Sequence, residues 1–148
     1  MQAQILAPAT MLVLWTLVMF VWLSAARAPV IKAAGGFGKM KPGGRGQDLD
    51  GKIDDRLNWP SHNYTHLLEQ PTLFYAVVIM LAILGPHPHD LLFAWGYVAI
   101  RIVHSAWQAT VNRLPIRFAL FALSTLCLAV LALHAAKLAL FDLPGATA

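Results

Sequence analysis

His66 and Glu69 stand three residues apart, and Arg101, His104 and Gln108 follow one another at i, i+3 and i+7. If their segments are helical, each set lies on one face. Arg113 and Arg117 come shortly afterwards. Together these side chains could form a polar, cationic pocket that holds an anionic ligand. Their surroundings make the pattern notable, because they lie in or beside long apolar runs. An ionisable group inside a membrane-spanning stretch costs roughly 2.5–3.5 kcal/mol on insertion scales, so it calls for a partner or a task. Glu69 lies about six residues into its helix, and Arg101 about eleven residues before the end of an antiparallel one. At 1.5 Å per residue this leaves them about 8 Å apart in depth, and the two are expected to pair.

The elements that must position these groups follow from composition. The chain has 148 residues, of which 58% are hydrophobic and only 12% charged, with a mean hydropathy of +0.60. That balance describes an integral membrane protein rather than a soluble domain. The net charge of +4 then reports topology and gives no indication of nucleic acid. Four spans are read at about 5–26, 61–84, 91–111 and 116–141, all within a single domain of residues 1–148. Residues 27–59 carry seven of the eleven Lys and Arg and seven of the ten Gly. This segment is expected to be a mobile cytoplasmic loop. Four helices then place both termini outside. Pro71, inside the second span, predicts a kink. His62 is expected at headgroup level, and His134 as an interior histidine with no charged neighbour in phase on its own helix.

Other motifs carry less. Cys127 is the only cysteine, which excludes an intrachain disulfide and every multi-cysteine metal site. In Asp48–Asp55, Lys52 takes a calcium-ligand position and Trp59 stands where a bidentate Glu is needed, so no calcium loop forms. No metal is expected. Gly43-Gly44-Arg45-Gly46 lacks the spacing of a phosphate-binding loop.

Three stretches taken in order carry a family resemblance: Glu69-Gln70-Pro71-Thr72-Leu73-Phe74-Tyr75, Arg101-Ile102-Val103-His104-Ser105, and Asn112-Arg113-Leu114-Pro115-Ile116-Arg117. Over roughly Asn58 to Leu133 the chain resembles the MAPEG family, the membrane-associated proteins in eicosanoid and glutathione metabolism. The resemblance implies an all-α, four-transmembrane-helix bundle assembled as a homotrimer. It implies glutathione as cosubstrate, bound between protomers near the cytoplasmic side, with lipophilic electrophiles as substrates in a transferase or peroxidase reaction. Arg117 matches the catalytic arginine that stabilises the glutathione thiolate. Glu69, Arg101, His104, His66 and Arg113 are then candidate glutathione-binding residues. The chain departs from the enzymatic pattern at His66, where Asn is usual, and at His62 and Thr65, where basic residues stand. It departs again at Gln108, which replaces Tyr, and at Phe118, which replaces Ser. The resemblance points to a bacterial-type inner-membrane protein in contact with lipid. Two rival readings are a noncatalytic scaffold or lipid-binding protein of the same fold, and a small transporter using Glu69 as proton carrier.

Overall fold

The computed structural model describes residues 2–39 and 41–142. Five α-helices account for most of them, and no strand occurs among the described residues: α1 (Leu6–Ala33), α2 (Asp55–Leu67), α3 (Gln70–Leu84), α4 (Pro88–Thr110) and α5 (Leu114–Leu140). The second expected span is thus built from two helices, α2 and α3. Pro71 explains the break. A proline ring clashes with the carbonyl four residues earlier, which is that of Leu67, the residue at which α2 ends. Helix resumes at Gln70, with Pro71 in the first turn, where its missing N–H is harmless. The expected kink is therefore a full interruption across Leu68 and Glu69.

The helices are arranged around α4, which packs against α1, α2 and α5. Its buried residues are Asp90, Ala94, Tyr97, Val98, Arg101, His104, Ser105, Gln108 and Ala109, a single stripe at helical spacing. The other long helices bury much narrower stripes: Leu12, Thr16 and Met19 on α1, Phe74, Val78 and Leu81 on α3, and Ser124, Leu128, Leu131 and Ala135 on α5. Their remaining faces are apolar and open, among them Leu17, Val21, Ile79, Ile83, Leu126 and Leu133. Apolar surface on this scale suits a lipid or subunit environment. Three stretches are long and apolar enough to cross a membrane: Leu6–Ala33, Asp55–Leu84 and Leu114–Leu140. At 23 residues, α4 has comparable length, but it carries the polar groups and is the less apolar helix.

Polar contacts fix the helices to one another. Trp15 Nε1 on α1 donates to Ser105 Oγ at 2.9 Å, and Asn63 Nδ2 on α2 donates to the same oxygen. Gln70 Nε2 donates to Thr125 Oγ1 at 2.9 Å, joining α3 to α5. The Gly-rich loop is also tied down. Arg27 donates to Gly46 O and Asn58 Oδ1, and Asn58 Nδ2 in turn donates to Asp50 Oδ1, on which His62 Nε2 also converges at 3.1 Å. Two short 3-10 turns, Phe37–Lys39 and Gly46–Leu49, lie within the segment. The loop begins later than expected: α1 continues to Ala33, and its Arg27 side chain acts as the anchor.

Candidate functional site

The C-terminal half of α4, the start of α5 and the end of α2 enclose a cleft of about 160 Å³ lined by His66, His104, Leu114, Arg117, Phe118 and Phe121. His66 and His104 come from different helices, with ring centroids 5.3 Å apart. Phe121 forms the aromatic wall, 5.4 Å from His66 and 6.5 Å from His104. Arg117 enters from the first turn of α5, and its Nη1 donates to Asn112 Oδ1 at 2.7 Å. Asn112 sits in the turn with φ of +55°, a left-handed conformation that Asn tolerates better than most residues.

Behind Phe121 lies Arg101, with 0% of its surface exposed. Its guanidinium is 5.4 Å from the Phe121 ring centroid and 5.7 Å from that of Tyr97. Nε, Nη1 and Nη2 are all buried, and none has a hydrogen-bond partner among the described residues. Cation–π contacts contribute about 0.5–2 kcal/mol, whereas enclosing an unpaired charge costs several. The described residues therefore leave the Arg101 cation without a hydrogen-bonding partner beside the cleft.

The expected Glu69–Arg101 pair is not made among the described residues. The depth argument assumed a continuous helix, and the interruption at Leu68–Glu69 removes that premise. The Glu69 side chain is 62% exposed, and its Oε2 lies 2.9 Å from His66 Nδ1. Of the other candidates, His66, His104 and Arg117 meet in the cleft with Arg101 behind it, while Arg113 precedes α5 in an exposed position outside it. Gln108 shares the buried face as its spacing predicts, with Oε1 unpartnered among the described residues. Phe121 was not anticipated. Its only signal was its place one helical turn beyond Arg117.

The residue order, the α4 polar face and the cleft position together invite comparison with known families. The MAPEG family profile matches residues 5–137 of the 148-residue chain. The chain belongs to the MAPEG family. Neither the curated proteins nor the solved structures offer a significant match. Membership and the apolar helices make this MAPEG protein an integral membrane protein.

Three imidazoles and a carboxylate gather at the other end of the α4–α5 pair. His134 Nδ1 lies 2.9 Å from Asp90 Oδ1 and 2.8 Å from Asp90 Oδ2. The charged partner of His134 is thus supplied by α4. His87 and His89 complete the group.

Proposed function

We propose that this MAPEG protein binds glutathione at the His66, His104 and Arg117 cleft and uses it against lipophilic electrophiles, as a transferase or peroxidase. Arg101, buried and unpartnered among the described residues, carries the reading, because a cation without an anion favours a ligand that brings one. Arg117 would hold the thiol in its ionised form, since a nearby guanidinium stabilises the thiolate. In the transferase reaction the thiolate sulfur attacks an electrophilic carbon and a C–S bond forms. The leaving group departs with its electron pair, and the thiol proton goes to solvent. At about 160 Å³ the cleft is smaller than the roughly 300–1,000 Å³ usual for small-molecule sites. A neighbouring protomer of a homotrimer would supply the missing wall, with four spans in a bacterial inner membrane, the Gly-rich loop cytoplasmic and both termini outside.

Calorimetric titration of the detergent-purified protein with glutathione tests this. Saturable binding is expected, weakened at least tenfold in Arg117→Ala, with thiol-dependent turnover of an aryl halide or hydroperoxide. Absence of both binding and turnover sinks the proposal. A noncatalytic scaffold of the same fold has its own support: Asn112 already engages Arg117, and His66 already engages Glu69. It expects Arg117→Ala to change nothing and Glu69→Ala to disturb assembly.

A further inference from the structure

His87, His89, Asp90 and His134 each offer one donor atom, and these four atoms all lie within 4.8 Å of one another. Three come from the turn that opens α4, and the fourth comes from α5, 47 residues beyond His87. Pro86 and Pro88 flank His87, and Gly85 makes the turn at φ of +102°. The bracketing prolines restrict the His87 backbone, which is extended at φ −88° and ψ 161°. Asp90 is fully buried, and its Oδ2 accepts from the His87 backbone N–H at 2.7 Å. The carboxylate is therefore fixed before it meets His134.

In the neutral His134 tautomer that donates from Nδ1, the Asp90 carboxylate accepts this contact. Nε2 of His134 is then left with its lone pair, which faces His87 Nδ1 at 3.0 Å. His89 stacks on His87 with centroids 5.4 Å apart and 11° between planes, and lies 5.7 Å from His134. A carboxylate that orients one imidazole while the opposite nitrogen turns toward further imidazoles is the arrangement found around histidine-bound metals. An Asp90–His134 pair alone would complete a structural contact. It gives no account of the two further imidazoles collected around it.

We propose that this cluster binds a divalent transition-metal ion of the zinc, copper or cobalt class. His87, His89 and His134 serve as nitrogen donors, and Asp90 orients His134 or supplies a fourth donor. Tetrahedral zinc places its nitrogen ligands about 2.0–2.1 Å from the metal and hence about 3.3 Å from one another. The four donor atoms here all lie within 4.8 Å of one another, close to that spacing. Imidazole nitrogen without thiolate suits zinc, copper or nickel better than calcium or magnesium, which take oxygen ligands. The positive end of α4 opposes a cation, and the Asp90 carboxylate offsets it. His87 and His89 are exposed, so an ion can reach them. The site joins the start of α4 to the last turns of α5. About 21 Å of helix separates Asp90 from His104, so the proposal does not depend on the thiol cleft.

The test is titration of tag-free, chelator-stripped protein in detergent with Co²⁺. The visible absorption of tetrahedral cobalt should saturate at one ion per chain and be bleached by Zn²⁺. His87→Gln and His89→Gln alter exposed side chains, so circular dichroism should show an intact helical fold while the band is lost. His62→Gln, on α2, should bind as the parent does. Zn²⁺ should raise the thermal unfolding midpoint of the parent but not of His89→Gln. The proposal is overturned if no stoichiometric cobalt band appears, or if His87→Gln and His89→Gln bind cobalt as the parent does.

Discussion

Arg101 is enclosed by the rings of Tyr97 and Phe121, with every guanidinium nitrogen lacking an acceptor among the described residues. A buried charge in that condition weakens the ligand-free protein, and replacing it with an apolar side chain of similar length is often neutral or stabilising. Arg101→Met is therefore expected to hold or raise the thermal unfolding midpoint measured without glutathione. The same change should reduce glutathione affinity at least tenfold, about 1.4 kcal/mol, because the ligand loses its counter-charge. A lower midpoint together with unchanged affinity would show instead that Arg101 acts as a structural strut. Ser105 illustrates the opposite economy. One hydroxyl oxygen accepts from both Trp15 and Asn63, so three helices meet at a small residue that the sequence presents only as a neighbour of His104.

At the scale of the element, the break between α2 and α3 decides which groups reach the cleft. Pro71→Ala removes the clash with Leu67 O and supplies a backbone donor, so one helix should run from α2 into α3. Amide hydrogen exchange from Glu69 to Thr72 is expected to slow, and the hydrogen bond between His66 and Glu69 should change in the imidazole NMR signals. Unaltered exchange would mean that packing, not Pro71, holds the interruption. The α4 face was legible in the sequence because Arg101, His104 and Gln108 lie within one uninterrupted helix, where spacing alone fixes direction. The Glu69–Arg101 pairing was not recoverable in the same way. Its depth estimate crossed the break, and two residues of non-helical backbone are enough to send Glu69 outward to His66. The pairing of His134 with Asp90 was hidden for another reason: the two lie on different helices, and phase along one helix says nothing about its neighbour. Arg27 was likewise assigned to the loop when it lies within α1, because a charged residue after an apolar run ends a hydropathy pattern without ending a helix.

For the whole molecule, the distribution of Lys and Arg sets the expected orientation. In a Cys127→Ala background, Gln2→Cys should react with a membrane-impermeant maleimide in intact cells, and Lys41→Cys should react only after the membrane is opened. The reverse pattern would invert the topology while leaving the bundle as described. The clasp of Arg27 on Gly46 and Asn58 has a further consequence, one of connectivity. Because α1 packs directly against α2, α3 and α4, its place is set by contacts rather than by the peptide that leads away from it. The covalent link across the Gly-rich segment is therefore expected to be dispensable for holding the parts together. Residues 1–42 and 43–148 produced as separate chains in one membrane should find each other and co-purify. Arg27→Ala, which opens the clasp, should loosen that complementation while barely affecting the intact protein.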